Sequence, residues 1–98
     1  MTINEFVIKA YTNSYSKGFW KRQRNVGEML MLVVSELSEA LEALRDPKRS
    51  LEDFNSEIAD AFIRLADICG GLEIDIEKVI QKKMEINEGR PHLHGKLF

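Results

Sequence analysis

Apolar residues recur at helical spacing along four stretches of the chain. These stretches are residues 3–15, 26–45, 50–69 and 73–88. Within them the apolar positions follow i, i+3, i+4 and i+7, the period of an amphipathic α-helix rather than the alternation of a strand. Asp46-Pro47 and Gly70-Gly71 predict the ends of the second and third helices. The pattern therefore predicts an all-α fold of four helices, with residues 1–98 forming one domain.

The second and third predicted helices carry the longest apolar stripes, which we expect to form the core. The stripes consist of Val26, Leu30, Val33, Leu37, Ala40, Leu41 and Leu44, and of Leu51, Phe54, Ile58, Ala61, Phe62, Leu65 and Ile68. A chain of 98 residues buries only a limited core on its own. We therefore expect the helical bundle to be completed by oligomerisation.

Two acidic pairs lie beside these stripes, Glu36 with Glu39 and Glu57 with Asp60. Each pair has i,i+3 spacing, which places both carboxylates on one face of a helix. Two antiparallel helices joined by a short turn would bring all four carboxylates towards one place, where they repel each other unless a cation lies among them. Oxygen ligands without nearby cysteine or histidine favour Mg²⁺, with Mn²⁺ as a substitute.

Residues 16–25 combine basic and aromatic side chains. Lys17, Lys21, Arg22 and Arg24 flank Phe19 and Trp20. One interpretation is a connecting loop whose aromatic rings enter the core while its charges stay solvated. The other is a loop that stacks on a base and attracts phosphate at a nucleotide site. The sequence leaves both open, with the first favoured.

Lys83 and Asn87 fall on the apolar face of the fourth predicted helix, and Arg90 continues that line just beyond it. Polar side chains on an apolar face need partners. Lys83 either extends to solvent or belongs to a set of donors that reaches the carboxylates and holds phosphate there. With Mg²⁺ such a set suits hydrolysis of phosphoanhydrides, in which the metal activates water and neutralises phosphate charge.

Several other classes of protein are disfavoured. The two histidines, His92 and His94, do not follow a glutamate by three residues as in a di-iron bundle. A net charge of −2 gives no reason to expect a nucleic-acid polymer as partner. The longest apolar run, Met29–Val34, is too short to span a bilayer. The single cysteine, Cys69, fits a reducing, cytoplasmic setting.

These residues resemble those of the MazG-like all-α nucleoside triphosphate pyrophosphohydrolases. The resemblance rests on E-x-x-E at 36–39 and E-x-x-D at 57–60, with KGFW at 17–20, RNVGE at 24–28, SELSEALEALR at 35–45 and KMEINEGRPHLHGKLF at 83–98. It covers nearly the whole chain. It implies a four-helix-bundle-like MazG fold that forms a homodimer or homotetramer, with sites near the subunit interfaces.

The resemblance also implies an activity. A member of this family cleaves (d)NTPs between the α and β phosphates to (d)NMP and pyrophosphate, commonly as housecleaning of the nucleotide pool. By analogy, catalysis and Mg²⁺ binding fall to Glu36, Glu39, Glu57 and Asp60. Substrate binding falls to Lys83, Asn87, Arg90, Trp20 and Phe19.

Two alternatives stay open at this point. One is a relative with a narrower substrate, such as dUTP or phosphoribosyl-ATP. The other is a non-catalytic helical module that binds a nucleotide or a protein. The sequence leaves undecided the preferred base and sugar, the number of metal ions, the general base, the choice between dimer and tetramer, and the physiological role.

Overall fold

The computed structural model of this chain describes all 98 residues and contains four α-helices and no strand. The helices are α1 (Ile3–Ser16), α2 (Val26–Arg45), α3 (Leu51–Gly71) and α4 (Ile76–Glu88), followed by a short 3₁₀ turn at His92–Gly95. The predicted all-α class is confirmed. No helix has both the length and the apolar character that crossing a membrane requires.

Side-chain caps fix where the helices begin. Thr2 and Ser50 form capping boxes, in which each hydroxyl accepts from the backbone N–H three residues on and the acidic residue there accepts in return. Asn25 and Asp75 cap α2 and α4 without a reciprocal bond, because only the side chain of the cap residue accepts from the backbone N–H three residues on. Because Asp75 accepts from Lys78 N, α4 begins at Ile76, three residues later than the pattern predicts.

Helices α2 and α3 form a hairpin across the turn at residues 46–50, and α1 packs on the other side of α3. The core is small. It is centred on Met29 and Val33 of α2 and on Ala61 and Ile68 of α3, with Trp20 packed against them. This core lies beside the position where the acidic pairs of α2 and α3 face each other.

The predicted end of the third helix at Gly70-Gly71 is confirmed, since the last residue of α3 is Gly71, two residues beyond the predicted bound at residue 69, and its C-cap is Leu72. The two glycines also allow close packing. A Cβ at Gly70 would collide with the Tyr11 side chain, and one at Gly71 would collide with the Trp20 indole. They are therefore the positions at which α1 and the loop before α2 come into contact with α3.

The predicted stripe on α2 is only partly buried, and most of its leucines face solvent. Val33 and Ala40 are buried as expected, but Leu37 is 49% exposed and Leu41 52%. The face that packs on α3 is rotated away from the stripe and carries these five buried residues: Met29, Val33, Glu36, Ala40 and Ala43. A single chain thus leaves its most apolar helix face uncovered.

Helix α4 is attached to the other helices mainly through the start of α1. Glu77 accepts from Ile3 N at 3.1 Å, and Asp75 accepts from Asn4 Nδ2 at 3.1 Å. No residue of α4 is buried. The chain accordingly has a radius of gyration of 16.1 Å, compared with about 13 Å for a compact domain of 100 residues.

Candidate metal and nucleotide site

Three of the four predicted carboxylates converge between α2 and α3. Glu36, Glu39 and Glu57 each contribute an oxygen, and these oxygens lie within 4.8 Å of one another. Asp60 lies one turn beyond Glu57 on α3 and is exposed. It lines a cavity together with Glu36, so the fourth carboxylate borders the cluster rather than joining it.

Glu36 is the most enclosed carboxylate of the cluster, at 8% exposed. Its Oε1 accepts a hydrogen bond from Arg64 Nε at 2.9 Å, whereas its Oε2 is buried without any hydrogen-bond partner. Glu57 Oε2 is likewise buried and unpartnered. Arg49 Nη2 lies 3.7 Å from Glu57 Oε1, too far for a close hydrogen bond. Two carboxylate oxygens in the cluster are therefore buried without a hydrogen-bond partner.

The crowding of the carboxylates affects the protonation of Glu57. Loss of solvent around its carboxyl group, followed by the closeness of the Glu36 and Glu39 carboxylates, raises its pKa from 4.5 to about 7. A like charge and a low local dielectric both disfavour the ionised form. Near neutral pH Glu57 is therefore protonated part of the time, and a divalent cation would displace that proton.

The donor set of this cluster fits Mg²⁺ or Mn²⁺. All the ligand atoms are carboxylate oxygens, which hard divalent cations prefer. The unpartnered oxygens of Glu36 and Glu57 are what such a cation would satisfy, because a buried polar atom without a partner is otherwise unfavourable. The exposed side of the cluster, at Glu39 and Asp60, leaves room for water ligands.

A cavity of about 290 Å³ opens beside the cluster, between α1, α3 and the loop that precedes α2. One end carries Glu36, Asp60 and Arg64, and the other end carries Phe19, Arg24 and Asp67; Ala10, Asn13, Ser14 and Ile63 line the remainder. Its volume is at the lower limit for small-molecule sites, roughly 300–1,000 Å³. A second wall would be needed to enclose a ligand as large as a nucleotide.

The two aromatic residues of the loop occupy different positions. Phe19 is 62% exposed and lines the cavity. Trp20 packs against the core and over Gly71, and its ring lies 5.6 Å from that of Tyr11. Trp20 therefore occupies the position that the connecting-loop interpretation describes, and Phe19 the position that the base-stacking interpretation describes. Base contact by either residue remains a prediction.

Sequence reasoning did not identify Asp67, which is buried at 9% exposure and organises the far end of the cavity. It accepts from Trp20 Nε1 at 2.8 Å and from Arg24 Nη1 at 3.1 Å. The guanidinium of Arg24 also lies 4.9 Å from the centre of the Trp20 ring. The only sequence signal was that Asp67 continues the helical ridge of Glu57 and Asp60, because its partners lie more than forty residues away.

Within one chain the structure does not bring the predicted C-terminal residues to the cluster. Lys83, Asn87 and Arg90 are exposed, and none of them lines the cavity. Helix α4 packs on α1 rather than on α2 or α3. Their predicted role in binding substrate stays a prediction, and it requires a second chain or a movement of α4.

Comparison with models of protein families, with curated proteins and with solved structures finds no match to this chain. The class that the geometry defines is therefore an all-α protein with a carboxylate cluster suited to a divalent cation, set beside a cavity with arginine and aromatic walls.

Proposed function

We propose that this chain is a Mg²⁺-dependent nucleoside triphosphate pyrophosphohydrolase of the MazG-like type. It would cleave (d)NTPs between the α and β phosphates and release (d)NMP and pyrophosphate, in a role of nucleotide-pool housecleaning. The observation that carries the proposal is the pair of buried, unpartnered oxygens on Glu36 and Glu57, within a trio of carboxylates that two helices hold together. An ordinary solvated acidic surface would not bury these atoms.

Different residues of the chain would bind the metal and the nucleotide at this site. Glu36, Glu39 and Glu57 would hold the metal, and Asp60 borders them on the cavity side. When bound, Mg²⁺ supplies Lewis-acid activation of water and neutralises charge on the phosphates. The cavity then extends from the carboxylates to Phe19, whose exposed ring offers a face for a base.

The surface area of the chain supports an assembly of two copies. The chain exposes 7995 Å², compared with about 5,700 Å² for a compact monomer of this mass. Covering an excess of roughly 2,300 Å² on each of two chains would bury about 4,600 Å² in total, which is in the range of obligate homodimers. We infer that part of this surface is covered by a second copy, which would also complete the open cavity.

The outward face of α2 is the surface best suited to that contact. Its exposed aliphatic residues are Leu30, Val34, Leu37, Leu41 and Leu44. They follow an alternating spacing of four and three residues, which is the repeat of helices that pack along a shared seam. The same assembly offers a route by which α4 of one copy could bring Lys83, Asn87 and Arg90 to the cavity of the other.

The proposed reaction is tested by identifying products. Purified protein is incubated with a panel of dNTPs and NTPs, with Mg²⁺ or with EDTA, and the products are separated. We expect metal-dependent formation of monophosphate and pyrophosphate in equal amounts. Diphosphate with orthophosphate would overturn cleavage at the α–β bond. Strong preference for one nucleotide would identify a narrow-substrate enzyme. Absence of any product, together with metal-dependent nucleotide binding, would identify a non-catalytic module.

A further inference from the structure

Arg64 occupies a position between the carboxylate cluster and the cavity. It lies on α3, one turn beyond Asp60, and its side chain is 39% exposed. Its hydrogen bonding is limited to one atom, because Nε donates to Glu36 Oε1 at 2.9 Å while the two terminal nitrogens have no hydrogen-bond partner in the chain. Arg64 also lines the cavity. Glu36 thus holds Arg64 through Nε, whereas the two terminal nitrogens of Arg64 are free to bind a ligand.

The other arginine of the cavity is more enclosed and does not contact the carboxylate cluster. Arg24 donates to the buried carboxylate of Asp67 at 3.1 Å, lies against the Trp20 ring, and has a side chain that is 17% exposed, compared with 39% for Arg64. Of the two cations that line the cavity, Arg64 is therefore the more accessible one and the one that contacts the cluster. The predicted C-terminal cations lie elsewhere in the single chain.

The planar fork of a guanidinium explains why arginine suits this position. Its Nε can bind one carboxylate oxygen while both terminal nitrogens bind a phosphate, and this geometry is not available to lysine. The bond to Glu36 limits the rotation of the side chain, so less freedom is lost when a phosphate binds. It also holds Glu36 Oε1, which leaves Oε2 for the cluster.

We propose that Arg64 is a phosphate-binding residue of this site, anchored through Nε to Glu36 and presenting its terminal nitrogens to the phosphate chain in the cavity. The inference rests on the proposed function and deepens it, since it names the group that receives the phosphates within one chain. It also joins the metal ligand and the substrate through a single side chain, so that the two are positioned together.

The test measures the binding of two separate probes by titration calorimetry. One probe is Mn²⁺ alone, and the other is tripolyphosphate in the presence of Mg²⁺, which carries the phosphate chain without a base. The proteins are the wild type, Arg64→Gln, Arg64→Lys and the control Arg45→Gln. Arg45 is an exposed arginine on α2 that pairs with Glu42. Circular dichroism checks that each variant keeps its helices.

We expect Arg64→Gln to weaken tripolyphosphate binding by about tenfold or more, since a charge-assisted contact with the phosphate is lost. Arg64→Lys should fall between the wild type and Arg64→Gln, because it keeps the charge but not the fork. Binding of Mn²⁺ to Arg64→Lys should fall by a smaller factor than its binding of tripolyphosphate, because a lysine ammonium keeps a positive charge beside Glu36 but lacks the fork that binds phosphate. Arg45→Gln should bind both probes as the wild type does.

Two results would overturn the proposal. One is unchanged tripolyphosphate binding in Arg64→Gln. The other is a parallel loss of both probes in Arg64→Gln and Arg64→Lys, which would mean that Arg64 only supports Glu36. A wild-type protein that binds neither Mn²⁺ nor tripolyphosphate would instead refute the proposed function itself, so the two failures are distinguishable.

Discussion

The two long faces of α2 differ in both chemistry and environment. The face that packs against α3 combines small or flexible apolar residues with one carboxylate, as at Ala40, Met29 and Glu36. The neighbouring face, roughly 100° around the helix axis, carries a row of leucines, of which Leu30 and Leu44 are 48% and 60% exposed. The more apolar face is thus the one that a single chain leaves in water.

This difference explains how the candidate site is built. Ala40 and Ala43 of α2 and Ala61 of α3 are nearly inaccessible, and small side chains at a helix contact allow the two axes to approach closely. Close approach brings Glu57 within reach of Glu36, as bulky leucines at the same contact would not. We infer that the inward face serves the site and that the leucine face serves assembly.

The largest effect is expected where carboxylates in or beside the cluster are neutralised. Glu39→Gln or Asp60→Asn should reduce turnover of the preferred triphosphate by more than about 100-fold, because each removes a charge at or beside the metal. Helicity should be retained. The matched control is Glu42→Gln on the solvent side of α2, which should retain activity. Equal activity in Glu39→Gln and Glu42→Gln would contradict a role of the carboxylate cluster in turnover.

Charges on the leucine face should disrupt assembly rather than the chain's own fold. We expect Leu37→Glu with Leu41→Glu to convert a dimer into a monomer, because carboxylates without partners would be buried at the contact. Size-exclusion chromatography with light scattering gives the mass directly. A wild-type protein that is monomeric at micromolar concentration would contradict the assignment of this face to assembly.

Met29 and Leu30 are adjacent on α2 but lie on different faces, so substitutions at the two positions test which face stabilises the single chain. Met29 is 3% exposed and belongs to the core, whereas Leu30 is 48% exposed. Met29→Ala should lower the free energy of unfolding by about 2–5 kcal/mol. In the monomeric background of Leu37→Glu with Leu41→Glu, Leu30→Ala should change it by less than about 0.5 kcal/mol. Urea unfolding measures both, and equal losses would show that the faces were assigned incorrectly.

The smallest expected effect is a pH dependence that comes from the inward face. Because the pKa of Glu57 is about 7 in the folded chain and 4.5 without its surroundings, the folded state binds more protons between these values. Its stability should therefore fall as the pH rises through this window. In EDTA, the melting temperature of the wild type should decrease across it, and Glu57→Gln should flatten the decrease.

Mg²⁺ should reverse that trend, because metal binding requires the ionised carboxylate and becomes stronger as the proton leaves. The metal-induced rise in melting temperature should grow from about pH 6 to about pH 8 in the wild type and be absent in Glu57→Gln. A rise that is independent of pH would show that Glu57 does not bind the metal.

The sequence predicted the parts of this structure that depend on local rules. Four helices and the shared face of Glu36 and Glu39 both follow from spacing within a few residues. The face of α2 that packs on α3 could not be predicted in this way. The pattern identifies the most apolar face of the helix, but it does not show whether the same chain buries that face. Gly70 illustrates the same limit, since only the approach of α1 shows why it lacks a side chain.

The contacts made by the arginines could not be predicted for a related reason. Arg64 binds Glu36 across 28 positions, and Arg24 binds Asp67 across 43. Charge spacing along one helix carries no information about such pairs. The clustered carboxylates were predictable because each pair lies within one turn, whereas their partners depend on how the helices meet.

Binding of Mn²⁺ to the nucleotide-free protein at about pH 8, where Glu57 is mostly ionised, tests the central claim most directly. We predict saturable binding by the wild type and by Glu42→Gln, with loss of binding in Glu36→Gln and Glu57→Gln. Absence of binding by the wild type, or equal binding by all four proteins, would contradict the assignment of the inward carboxylates as a metal site.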